Sequence, residues 1–196
     1  MAGPIVFVAI VTLLTALEWS FLRHLGWDPI KNTDVAWPSS TALGDYGWLQ
    51  VVNFAFLGLS VVALALGMWR ELKPRPTLGL AFLMVTGLAT LLLAFKTDPS
   101  SSRITTWHGA IHAIAFLALL LSAVIAMFAL AARIGRDRRW RPIGRYSLIA
   151  GILVIALVVL SALVGAVGAL LGSLALLTLL AWIELLAARL GTTTQR

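Results

Sequence analysis

The sequence predicts an all-α, polytopic integral membrane protein, a bundle of six transmembrane helices with both termini in the cytoplasm. Three observations carry that prediction. Of 196 residues, 60% are hydrophobic and only 12% charged, about half the charged share of a soluble domain. The apolar residues gather in runs of roughly 17 to 25, the length that crosses a hydrocarbon core about 30 Å thick in helical form. The Lys and Arg residues fall mainly in alternate connections, as expected of loops on the cytoplasmic side. Cysteine is absent, which excludes a disulfide-stapled domain, Cys-based metal sites and thiol catalysis.

The first run, Pro4 to His24, has neither a basic n-region nor a small-residue cleavage site, so it reads as a span and not as a signal peptide. The connection from Leu25 to Asp45 mixes turn formers and aromatics: Trp27, Asp28, Pro29, Asn32, Asp34, Trp37, Pro38 and Ser39. It is either a lid over the outer mouth of the bundle or a mobile connector. The second run, Gly47 to Trp69, carries Gln50, Asn53 and Ser60 on one face, and the third, Leu78 to Phe95, carries Thr86 and Thr90. These polar stripes should face other helices as interhelical glue. Lys96 to Trp107 reads KTDPSSSRITTW, a turn at Asp98 and Pro99 followed by Thr105 or Thr106 as cap of the fourth helix.

The fourth run is His108 to Ala132, the fifth Tyr146 to Leu163 and the sixth Ala166 to Leu190. The last two are apolar through their junction, but together they are about twice the length of one crossing, so a tight turn near Gly165 should divide them. Gly168 with Gly172, and Ser161 with Gly165, supply small-residue pairs suited to close helix contact. Trp48, Trp69, Trp107, Trp140 and Trp182 fall near span ends, where interfacial anchoring accounts for them. No connection is long enough to fold alone, so residues 1–196 read as one domain.

Orientation follows from the basic residues. Arg70, Lys73 and Arg75, then Arg133, Arg136, Arg138, Arg139, Arg141 and Arg145, then Arg189 and Arg196 make eleven of the fifteen. The opposite side holds Arg23, Lys31, Lys96 and Arg103, offset by Asp28, Asp34, Asp45 and Asp98. The net charge of +7 is thereby a matter of topology, with weak attraction to anionic headgroups and no nucleic-acid partner. The Ala- and Arg-rich composition suits a bacterial plasma membrane.

Ionisable side chains within the membrane mark candidate sites because they are costly there. Glu18, His24, Asp98, His108 and His112 all fall on the outer side, with Asn53 nearby in depth. His108 and His112 are one helical turn apart on one face, a spacing that can chelate zinc or another divalent metal if Asp98 or Glu18 completes the set. The plainer reading is that the pair simply bonds loop carbonyls or Asp98. Haem is disfavoured, because His24 opposite His108 or His112 is the only bis-His pairing available. Glu184, near the cytoplasmic end of the last run, reads as paired with Arg189 or snorkelling.

The segment PSSTALGDYGWLQVVNFAFLG (Pro38 to Gly58), with FKTDP (Phe95 to Pro99) and WHGAIH (Trp107 to His112), resembles a membrane family known as domain of unknown function 998. The matching positions are Ser39, Gly47, Trp48, Gln50, Asn53, Phe54, Asp98, Pro99, Gly109 and His112. The resemblance implies a six-helix bundle and no particular reaction. A fainter similarity, of HxxxH with Ser and Asp, is to membrane hydrolases related to alkaline ceramidases, whose seven helices and motif order differ. Two functions are therefore expected. One is an outer-side polar pocket that binds a lipid or small ligand, or a docking surface for a membrane-protein partner or a second copy. The other is a metal-dependent hydrolase of a lipid or amide built on His108, His112 and Asp98. A transporter is less favoured, since the midplane carries few polar positions.

Overall fold

The computed structural model describes residues 2–31, 34–136 and 138–193, so Asn32 and Arg196 of the expectations above lie outside the described residues. Among the described residues every regular element is helical. Helix α1 (Gly3–Leu17) has Pro4 in its first turn, where a missing N–H leaves no intrahelical bond unmade. It stops at Glu18, and a short α2 (Trp19–His24) follows. The expected first run, Pro4 to His24, is thus two helical segments. Glu18 leaves helical geometry where its buried carboxylate reaches across to accept the Tyr46 N–H at 2.7 Å.

Helix α3 (Gly47–Glu71) and helix α4 (Thr77–Leu92) follow the predicted second and third runs. Helix α5 (Trp107–Ile134) opens on Thr106, whose hydroxyl oxygen accepts the Gly109 N–H at 3.0 Å, an N-cap that satisfies one of the helix's orphan donors. Helix α6 (Arg141–Leu163) begins ahead of the expected Tyr146 because Pro142 lies in its first turn and presets the backbone. A short 3-10 turn, Gly165–Val167, separates it from α7 (Gly168–Thr193), so the division expected near Gly165 is present. Among the described residues four helices are long and apolar enough to cross a membrane, and Gly3–Leu17 and Thr77–Leu92 are shorter apolar helices.

Consecutive helices pack side by side from α3 to α7, and α1 closes the ring by touching both α3 and α7. One end of the ring carries residues 25–31, 34–46, 93–106 and the 164–167 turn, and is called the lid end below; the other carries the arginine-rich connection. Lipid tails are as apolar as Leu, so close backbone approach and polar pairs must supply the specificity of helix contact. At the α3–α4 crossing a Cβ on Gly58 would lie 2.6 Å from the Leu91 nitrogen, and one on Gly87 would lie 2.8 Å from the Val62 nitrogen. Thr86 and Ser122 share a buried hydrogen bond of 2.9 Å between α4 and α5. Between α6 and α7 the Ser161 hydroxyl donates to the Gly168 carbonyl at 2.8 Å, with Gly172 beside it.

Two expectations about side chains need correction. Trp140 and Trp182 are buried in the core, 2% and 0% exposed, whereas Trp48 and Trp107 are 61% and 69% exposed. Position along a span gives depth but not the face of the helix, and Trp182 points inward, where its Nε1–H donates to the Ser147 hydroxyl at 2.9 Å. Glu184 does not pair with Arg189. Its Oε2 is buried with no hydrogen-bond partner among the described residues, and Arg189 donates instead to the Arg139 carbonyl at 2.6 Å.

Gly58→Ala should lower stability in detergent by about 1–3 kcal/mol, the usual cost of forcing a methyl group into filled space. Gly165→Ala should leave the unfolding temperature almost unchanged, since nothing lies within 4 Å of its Cβ position. Thermal unfolding of the two variants beside the parent tests the crossing, and equal midpoints would refute it.

Candidate functional site

The connection between α2 and α3 folds over its end of the ring. Leu22, Trp27 and Val35 form a small core of their own, packed on Trp37. Trp27 stacks on Trp37 at 6.0 Å between ring centroids, and the Trp37 indole donates to the Thr15 hydroxyl of α1 at 3.0 Å. The Ile30 carbonyl accepts the Leu170 N–H at the start of α7, 3.2 Å away. The described parts of this connection, residues 25–31 and 34–46, thus lie against the ring in the placement of a lid.

Asp34 fastens the lid to the connection between α4 and α5. Its carboxylate accepts the Ser100 hydroxyl, the Ser101 hydroxyl at 3.0 Å and the Ser102 N–H at 2.6 Å, while its carbonyl accepts the Ser101 N–H at 2.7 Å. The hydrogen bond from Ser100, followed by the Ser102 amide, holds the Asp34 carboxyl down at about 2, because each donor favours the charged form. Asp98, in the connection ahead of α5, is treated similarly. The Thr105 and Thr106 amides and hydroxyls all donate to it, at 2.8–3.3 Å. The Thr105 N–H is the largest influence keeping that carboxyl below its ordinary range. A Cβ on Gly109 would meet Asp98 Oδ2 at 2.1 Å, so only glycine there admits the carboxylate.

The two histidines of the HxxxH pair have separate partners. His108 Nδ1 lies 2.8 Å from the Lys96 carbonyl, and His112 Nδ1 lies 2.7 Å from the Phe95 carbonyl. A carbonyl only accepts, so both Nδ1 atoms carry protons, and the pair ties α5 to the chain just beyond the end of α4. His112 Nε2 faces the Ser39 hydroxyl of the lid at 2.9 Å. The set expected for a metal, His108 and His112 with Asp98, is therefore not assembled: Asp98 is turned onto Thr105 and Thr106. Among the described residues no three His, Asp or Glu side chains gather closely enough to hold an ion.

The remaining candidates scatter. His24 is exposed, with Nδ1 2.7 Å from the Ser20 carbonyl of its own helix. Glu18 is buried against Gly44 and Tyr46. Asn53 donates to the Phe7 carbonyl and to Gln50 Oε1, each at 3.2 Å, within the α1–α3 contact.

Asp98 and His112 do share one feature, a cavity of about 500 Å³ under the lid, between α1, α3, α5 and α7. Its walls are mostly apolar, among them Phe7, Phe54, Leu93, Phe116 and Leu176, and Ser39, Thr97, Asp98 and His112 supply polar groups toward the lid end. Phe116 and Leu117 line it while 52% and 58% exposed, so it is open along the α5 flank. Sequence reasoning about ionisable residues passed over Ser39, since a serine in a turn-rich connection has an ordinary explanation. The available signal was that Ser39 and His112 both fall on positions quoted for the family resemblance.

The sequence profile of a family described as protein of unknown function (DUF998) matches residues 1–189. No curated protein and no solved structure matches the chain.

The Asp34 clamp has a defined acid dependence. Its folded value lies below the ordinary 3.8, so its stabilising effect is complete above that value and is lost as pH falls toward about 2. Asp34→Asn should speed hydrogen exchange at the Ser102 amide at pH 7, read by mass spectrometry. Unchanged exchange there would refute the clamp.

Proposed function

The chain belongs to the DUF998 family, and from that premise we propose that it is a six-span protein of a bacterial plasma membrane whose outer-side cavity holds an acyl-chain lipid. The four long apolar helices support a multi-pass protein. The ring supports counting α1 with α2, and α4, as two further crossings, because each stands between long helices and reaches toward the same lid end. The basic connection after α5 supports cytoplasmic termini, since Arg133 to Arg145 concentrate on the end opposite the lid. Residues 1–196 then form one membrane domain.

The observation that carries the ligand reading is the cavity itself. Small-molecule pockets are mostly apolar volumes of about 300–1,000 Å³ with a few polar groups that fix orientation. This one combines Phe7, Phe54, Phe116 and Leu176 with Ser39, Asp98 and His112 near its lid end. An acyl chain would lie along the aromatic and leucine wall with its linkage beneath the lid, entering from the open α5 flank. Asp98, already satisfied by four donors, shapes that end without offering a free charge.

Two outcomes are expected. A reporter fused after Arg139 should read as cytoplasmic and one inserted after Ser101 as external; the opposite pattern would overturn the orientation. Native mass spectrometry after gentle extraction should show retained lipid, reduced at least several-fold by Ala113→Phe, which places a large ring in the cavity wall. A parent protein that retains no lipid would refute the pocket reading.

A further inference from the structure

Ser39 and His112 meet at the wall of the cavity, 2.9 Å between the hydroxyl oxygen and Nε2. The partner on the other side of the ring decides which nitrogen is basic. Nδ1 gives its proton to the Phe95 carbonyl at 2.7 Å, so Nε2 of the neutral ring presents a lone pair and accepts the Ser39 O–H. A hydroxyl bonded to an imidazole whose far nitrogen is held by a third group is the arrangement that activates a serine as nucleophile. The third group here is a backbone carbonyl.

The surroundings suit that chemistry. Ser39 and His112 are 8% and 5% exposed, yet both line the cavity. The edge-on contact between Phe54 and the His112 ring, 6.1 Å between centroids, holds the imidazole in place. Other buried hydroxyls of the bundle are spent on helix packing: Thr86 on Ser122 and the Phe82 carbonyl, Thr90 on the Thr86 carbonyl, Ser147 on the Ile143 carbonyl. Ser39 differs in that its partner is a base and its place is at a ligand-sized space.

We propose that Ser39 and His112 are a nucleophile–base pair acting on a long-chain acyl ester lodged in the cavity, which rests on the lipid reading above. Ser39 Oγ adds to the ester carbonyl carbon as its proton passes to His112 Nε2. The tetrahedral intermediate breaks the bond to the alcohol oxygen, which takes the proton from Nε2 and leaves as an alcohol. The acyl group remains as an ester on Ser39. Water then adds to that carbonyl, giving a proton to Nε2. The Ser39 oxygen departs, taking the proton back, and a carboxylic acid is released. The net change is ester plus water to acid plus alcohol, with no oxidant or reductant. Ser39 and His112 are the catalytic residues of this scheme, and the Phe95 carbonyl positions the ring.

The test uses the full chain in detergent and a decyl fluorophosphonate, which phosphonylates an activated hydroxyl and expels fluoride. Peptide mass mapping should place the adduct on Ser39. Ser39→Ala should abolish it, and Ser40→Ala, a buried hydroxyl bonded to the Ala36 carbonyl at 3.3 Å, should leave it unchanged. His112→Ala and His112→Asn should each slow labelling by about 10²-fold or more, the usual contribution of a general base. The Asn variant keeps a donor for the Phe95 carbonyl, so that a folded protein without the base is compared. Thermal unfolding checks each variant, and native mass spectrometry records its lipid. No adduct on the parent protein, or equal labelling in a folded His112 variant, overturns the pair. Retained lipid without an adduct overturns the pair and leaves the lipid reading standing. An adduct on protein that retains no lipid supports the pair and removes the lipid reading.

Discussion

The lid end of this protein depends on one constraint, that backbone carbonyls near or within lipid and outside any helix must find donors inside the protein. Just past α4 that need is met from α5: His108 takes the Lys96 carbonyl and His112 the Phe95 carbonyl. Each bond commits Nδ1 as donor. For His112 this leaves Nε2 free to accept from the lid, and Ser39 supplies the proton. The need of two connection carbonyls for donors thereby sets the chemistry available at the cavity.

The connection between α4 and α5 acts as a small scaffold around that arrangement. Asp98 gathers the Thr105 and Thr106 donors and starts α5, and Gly109 makes room for it. Ser100, Ser101 and Ser102 fasten onto Asp34 and so draw the lid across. Trp37 fixes the other side of the lid to α1 through Thr15. Ser39 therefore sits between two anchored points, and its hydroxyl is placed by both the lid's core and the α4–α5 connection. Rigid placement of this kind is what a reactive pair needs, since a displacement of about 1 Å can cost two orders of magnitude in rate.

The rest of the ring is held by means suited to a lipid environment. Glycines at the α3–α4 crossing let backbones touch. Thr86 with Ser122, and Trp182 with Ser147, bridge neighbouring helices by buried hydroxyls. None of these needs charge, which leaves the ionisable groups to the ends of the bundle and to the lid.

The helices themselves were legible in the sequence, because hydrocarbon thickness and backbone satisfaction allow few alternatives to apolar helical runs. The start of the second run at Gly47 and the division near Gly165 were legible from run length, and a cap at Thr105 or Thr106 from local turn and capping chemistry. The break at Glu18 was not, since it arises with a bond to Tyr46, far along the chain. Nor was the burial of Trp140 and Trp182, because composition gives depth in the membrane and only packing selects the inward face. HxxxH spacing put His108 and His112 on one side of α5 and favoured carbonyl bonding over a metal without naming the carbonyls. Their partners in the structure, Phe95, Lys96 and Ser39, arrive from other segments, and contacts between distant segments are decided by tertiary structure alone.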